Sequence, residues 1–292
     1  MSRRLVTLAH WLVLAVLLGA VATAGAWRLT GGRWERVETA SMGTVAPVNT
    51  LLWVEPASFE TLRTGDFITF HPPGHPDLTY SHRVAAVDAD GTIQTQGEIT
   101  ARDPWRLTRG DLVGKVVMRW KGVGWLIVAA PVLLGGGLIL WVLVWSVRGR
   151  TWRAPVAIVG GAVLLSVAIV VYRPLIRAEQ LGFGAAPEGA RATYVSTGLA
   201  PIRLHAYQGA HVDLGDGEVG SVVITQRDAH GRYAVTVHPH LPPWWWLVIV
   251  VVCFLPALWT LAIGQPDRPA APHAPTHRMA DRALDRSLRP AR

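Results

Sequence analysis

The chain has 292 residues, half of them apolar, with a mean hydropathy of +0.28 and only 16% charged residues. That balance excludes an ordinary soluble domain and directs attention to membrane spans. The net charge of +8 does not indicate a nucleic-acid partner, because the basic residues form no sustained stripe.

Four apolar segments stand out: Leu5–Ala26, Gly124–Trp145, Ala154–Tyr172 and Trp244–Ile263. Each approaches the ~20 residues a helix needs to cross a bilayer. Each holds at most one ionisable group, such as His10 in the first or Cys253 in the last. Arg3 and Arg4 precede the first span, and Arg148, Arg150 and Arg153 fill the link between the second and third. Arg268, Arg278, Arg282, Arg286, Arg289 and Arg292 follow the fourth. Short positive segments mark the cytoplasmic side, which places both termini inside and a multi-pass chain in the plasma membrane. Arg-Arg, an apolar run and Ala22-Thr23-Ala24 also describe a cleavable leader, but the run is longer than a leader core, which favours a retained anchor. Trp120 and Trp125 at the second span, and Trp244, Trp245 and Trp246 at the fourth, read as headgroup-belt residues. The lone Cys253 lies in an apolar span and reads as a small hydrophobe, so the external regions have no disulfide.

The expected fold class is a membrane protein with a mostly-β external domain, four transmembrane helices and a second small β-rich external domain. In chain order this gives an N-terminal anchor over 1–26, the external β domain over 27–122, a helix over 123–146 and a cytoplasmic loop over 147–153. A helix over 154–172, the second external region over 173–243, a helix over 244–263 and a disordered basic cytoplasmic tail over 264–292 complete it. In the first external region, strands are predicted over 50–56, 66–70, 81–88, 92–96 and 112–118 from β-branched and aromatic runs separated by turn residues. Asp90-Gly91 marks a hairpin turn. In the second region, strands are predicted over 192–197, 202–208, 220–226 and 233–239.

Several residues of the first external region have chemistry to offer. Serine hydrolysis needs a base within reach and a third group to orient it. The serines are Ser41, Ser58 and Ser81; the histidines are His71, His75 and His82. Lys115 and Lys121 are the only lysines of the chain and lie at the return to the membrane, which disfavours a lysine base. His71 and His75 fall in the Pro/Gly-rich loop "HPPGHPD", whereas His82 sits in a predicted strand that can fix an imidazole. A strand histidine is by itself more often structural. Glu98 and Asp103, in "TQGEITARDPW", can each accept an imidazole N–H, while Asp103-Pro104 is also an ordinary turn opener.

The order of these features resembles type I signal peptidases of the Ser–His branch, as found in archaea and the endoplasmic reticulum. The resemblance rests on "ASM" at Ser41, "GDFITF", "SHRV" at His82, "QGE…DP" and "LVGKV", and it covers roughly residues 5–145. It implies a β catalytic domain on the external membrane face that removes signal peptides from secretory preproteins, possible association with the secretion machinery, and no metal or organic cofactor. By that resemblance Ser41 is the nucleophile, His82 the general base and Asp103 the aspartate that completes the site. Glu98 has a supporting role, Met42 and Tyr80 face substrate, and Gly65 and Asp66 are architectural. The chain departs from the family pattern at Gly43-Thr44, where a proline is usual nearby, and at Gly97-Glu98, where the family has Gly-Asp.

An alternative is a degenerate, catalytically weak or inactive scaffold that binds exported proteins, which those departures and the unaccounted second region favour. A transporter is disfavoured by the near absence of charge inside the spans. His205, His211, His230, His238 and His240 with Asp213, Asp216 and Glu218 match no defensible metal spacing, so surface histidines are expected there.

Overall fold

The computed structural model describes residues 3–263. The expected basic tail over 264–292 lies outside the described residues, as do the first two residues of the anchor. Four helices are present: α1 (Arg3–Leu29), α2 (Val123–Ser146), α3 (Arg150–Tyr172) and α4 (Pro243–Ile263). Among the described residues three segments are long and apolar enough to cross a membrane: Val123–Ser146, Thr151–Tyr172 and Pro243–Leu261. In α1 the apolar stretch is the shorter Leu14–Leu29, so the expected span over Leu5–Ala26 is not one of the three. These three helices have the length and composition of membrane spans, and side chains such as Leu134, Val163 and Leu247 are left exposed on them.

The region between α1 and α2 is a six-stranded antiparallel sheet in the order β1-β2-β6-β3-β4-β5. Its strands are β1 (Arg33–Arg36), β2 (Leu51–Glu55), β3 (Phe67–Phe70), β4 (Tyr80–Val87), β5 (Ile93–Gln96) and β6 (Leu112–Trp120). All five strands expected here form, each within a residue or two of its predicted ends. β1, "RWER", was not expected, because charge dominates its sequence; it forms as an edge strand whose Trp34 packs edge-on against Trp53 of β2 at 5.8 Å. Trp27 at the end of α1 also meets Trp53, at 5.1 Å, and so ties that helix to the sheet. The β4–β5 hairpin closes where expected, with Gly91 at φ +82° and its N–H bonded to Asp88. Two apolar clusters fill the region. One gathers Val37, Met42, Ala46, Leu52, Val54 and Phe67, the other Leu62, Ile68, Phe70, Val84, Ile93 and Leu107.

The second β region, between α3 and α4, contains β7 (Ala178–Ala186), β8 (Gly189–Ser196), β9 (Ile202–Ala206), β10 (His211–Leu214), β11 (Val219–Ile224) and β12 (Val235–Pro239). They form two three-stranded antiparallel sheets, β11-β8-β7 and β10-β9-β12. Four strands match the predicted ones. β7, "AEQLGFGAA", was missed because it has no β-branched residue and two internal glycines, and β10 because it is only four residues long. Ile202, Leu204, Ala206, Val222 and Ile224 are buried between the sheets.

The two β regions dock on each other, though they read in sequence as separate units. Val195 of β8 is fully buried against Ala40, Val48 and Ile99 of the first region. A Cβ built on Gly217 would stand 2.5 Å from the Gly43 carbonyl oxygen, and Gly217 also holds φ +77°, so only glycine fits this approach. Trp125, expected in the headgroup belt, is instead buried under protein, with the Arg177 guanidinium 6.0 Å above its ring.

Asp216, one residue before that glycine contact, is partly buried, and its Oδ1 has no hydrogen-bond partner among the described residues. Burial pushes its carboxyl up to about 6, against a smaller opposing effect of Lys121. The folded chain thus holds this proton more tightly than the unfolded one. The stabilisation is complete below the unfolded value near 3.8 and is lost as pH rises through about 6. Asp216→Asn should raise the thermal midpoint at pH 7.5, leave it nearly unchanged at pH 3.5, and flatten the dependence between; melts of the detergent-solubilised chain at the two pH values read this out.

Candidate active site

Ser41 sits on a single 3-10 turn, Ala40–Met42, between β1 and β2. Both neighbours are buried, Ala40 at 6% and Met42 at 1% exposure, so the turn is pinned on both sides while Ser41 stays half-exposed. Met42 therefore anchors the turn from inside the first core cluster, and the expectation that it meets substrate is corrected. Burying a methionine contributes about 1.5–3 kcal/mol, enough to explain the residue without a ligand. The Ser41 carbonyl accepts the Ile99 N–H at 3.1 Å. A Cβ on Gly97 would stand 2.7 Å from that same carbonyl oxygen, which gives Gly97 a steric reason for being glycine.

His82 projects inward from β4, opposite Ile68 of β3, and is 4% exposed. Asp103 follows β5, held by its own N–H to the Thr95 carbonyl at 2.9 Å, and is 8% exposed. These separate segments meet in one line. His82 Nδ1 lies 2.7 Å from Asp103 Oδ2, and His82 Nε2 lies 2.9 Å from Ser41 Oγ. An ionised carboxylate only accepts, so Nδ1–H donates to Asp103, which leaves the Nε2 lone pair to accept the Ser41 hydroxyl proton. The fully buried Thr95 hydroxyl donates to the same Asp103 oxygen at 2.5 Å. Thr39 Oγ1 lies 3.3 Å from Ser41 Oγ and sets a second hydroxyl beside it.

Of the other residues expected at the site, Tyr80 touches the line through His82 and Glu98 points away from it. Glu98 does not join the relay; its carboxylate pairs with Arg83, which also donates to the Gly65 carbonyl at 2.9 Å. Tyr80 packs edge-on against His82 at 5.7 Å and against Trp105 at 5.4 Å, so it walls the imidazole. Lys115 does not lie at the membrane return but in mid-sheet, where Nζ meets Asp66 Oδ1 at 2.8 Å. That contact, together with the Arg63 N–H, gives Asp66 an architectural role and holds its carboxyl below the usual range despite opposing desolvation. His71 bonds the Leu78 carbonyl within its own loop. In the second region His205 stacks on His211, His238 meets Thr236 and His240 approaches Asp213 at 3.5 Å. Among the described residues, no group of three or more His, Cys, Asp or Glu could hold a metal ion.

Thr95 and Thr39 were missed by sequence reasoning. Thr95 was legible only as an inward position of the β5 alternation, and Thr39 only as a polar residue near Ser41. Chemically, the line of three side chains can raise the nucleophilicity of Ser41, take up its proton and stabilise the imidazolium that results. Thr95→Val should leave a buried carboxylate oxygen short of a donor and cost about 1–3 kcal/mol in denaturant unfolding, whereas Thr95→Ser should recover most of it. No family model matches the chain and no curated protein matches it.

Proposed function

We propose that this chain is a membrane-bound serine endopeptidase, of the signal peptidase I kind, that removes N-terminal signal peptides from exported preproteins. The observation that carries the reading is the Ser41–His82–Asp103 line, with both hydrogen bonds formed at 2.7 and 2.9 Å. The motif order around these residues and the apolar helices beside the β domain support the choice of substrate.

In the proposed mechanism, Ser41 Oγ attacks the scissile carbonyl of an extended precursor while His82 Nε2 takes its proton. Asp103 holds the imidazole in the correct tautomer and balances the imidazolium charge. In this reading the Ser41 N–H and the hydroxyl of Thr39, whose Oγ1 lies 3.3 Å from Ser41 Oγ, are the donors to the developing oxyanion. His82 then hands its proton to the leaving amine, and the acyl-enzyme is hydrolysed with the same imidazole acting on water. The relay uses no metal or organic cofactor.

In this reading α1 is the fourth membrane anchor. The basic segments put both termini on the cytoplasmic side of the plasma membrane and the β regions outside. The precursor reaches the site from the lipid, next to the secretion machinery.

Incubation of purified chain with a secretory precursor tests the assignment. Ser41→Ala should abolish cleavage, and His82→Ala and Asp103→Asn should each lower kcat by about 10³–10⁴-fold. Cleavage that persists in Ser41→Ala would sink the mechanism, and a wild-type chain inert toward several precursors would favour a binding scaffold instead. Glu98→Gln should lower kcat/KM by only about threefold and cost under about 1 kcal/mol in stability, since it loosens a partly exposed pair with Arg83; a loss as large as that of Asp103→Asn would make Glu98 part of the relay.

A further inference from the structure

The residues that follow Ser41 form one wall of an open groove, and the second external region forms the other. Thr44, Val45 and Ile99 line the near wall, with Val212, Leu214 and Val219 opposite. The groove adjoins the turn that carries Ser41, since the N–H of its lining residue Ile99 donates to the Ser41 carbonyl at 3.1 Å. It is also fixed in place by the Gly43–Gly217 approach and by the burial of Val195 against Ala40 and Val48.

The far wall offers backbone as well as side chains. β10 is the outer strand of its sheet and pairs only with β9 among the described residues, and β11 is likewise an outer strand. An outer strand carries a row of free N–H and C=O groups that an extended peptide can join. At about 3.3 Å per residue, the four residues of β10 match an extended segment of similar length.

The chemistry selects which part of the substrate lies there. Upstream of the cut, a signal peptide is apolar and drawn toward the membrane. Downstream, the chain is solvated. The groove walls set Val45, Ile99, Val212 and Val219 beside Glu98, Asp213 and Glu218. Glu98 and Asp213 are already paired with Arg83 and Arg203. Glu218 accepts the Gly215 N–H and is exposed, which leaves its charge available to a cationic side chain.

We propose that this groove holds the segment of the polypeptide substrate just downstream of the scissile bond, extended along β10, with a lysine or arginine of that segment facing Glu218. The proposal rests on the peptidase reading above. It gives the second external region a role as a specificity element.

Two synthetic precursors with identical upstream sequences test it, one ending a single residue past the cut and one continuing far enough to fill the groove. The full-length wild type in detergent should cleave the longer with about tenfold higher kcat/KM. Val219→Trp, which fills the groove from an exposed position, should bring that ratio close to one, and Glu218→Arg should invert a preference for lysine over glutamate in the downstream segment. A second arm needs no groove variant: a benzoylphenylalanine placed downstream of the cut, photolysed with the Ser41→Ala chain, should crosslink within residues 212–219. Equal cleavage of both precursors by the wild type, a ratio unchanged in Val219→Trp, or crosslinks confined elsewhere would overturn the groove assignment alone. A wild type that cleaves neither precursor and leaves Ser41 unlabelled by a fluorophosphonate probe would overturn the peptidase reading itself.

Discussion

A carboxylate taken out of water must be matched, and the burial of Asp103 sets the terms for everything around it. Leaving such a charge unpaired would cost several kcal/mol. The surrounding fold supplies two donors to one oxygen, the Thr95 hydroxyl and His82 Nδ1–H. The first comes from the neighbouring strand β5 and the second from β4, so the β4–β5 hairpin is what brings acid and imidazole together. With Nδ1 committed to donation, Nε2 can only accept, and it is aimed at Ser41 Oγ. The tautomer, the orientation of the ring and the hydrogen bond to Ser41 thus all descend from one desolvated acid.

The Ser41 side of the relay depends on packing. The turn that presents the serine is held by the burial of Ala40 and Met42 and by the Ile99 N–H on the Ser41 carbonyl. Gly97 and Gly217 let their own backbone approach it closely. Gly43-Thr44 stands where the resemblance to signal peptidases leads one to expect a proline. The φ of +48° at Gly43 and its contact with Gly217 tie that departure to the β7–β12 region. The Ser41 loop and that region are parts of one arrangement.

Much of this was readable along the chain. Alternating β-branched and aromatic residues located five strands of the first sheet, because a half-buried strand requires that pattern. Long apolar runs marked the helices because a bilayer cannot solvate charge. Ser41, His82 and Asp103 were nominated by residue type and motif order. Other features were not legible. β1 and β7 lack strand composition and form because a neighbouring strand offers them a ladder. Met42 and Trp125 were assigned to substrate and to the headgroup belt, yet both are buried by contacts from segments distant in sequence.

By itself, then, the sequence determined the apolar segments, the strand pattern and the three residue types from which a serine relay can be built, since these follow from local composition and periodicity. Tertiary structure alone decided that Glu98 turns away to Arg83, that Thr95 completes the acid's hydrogen bonding, and that the second region closes over the Ser41 loop. Those outcomes depend on distances across the fold of a few ångströms, between residues from eight to 174 positions apart, and no local pattern in the chain encodes them.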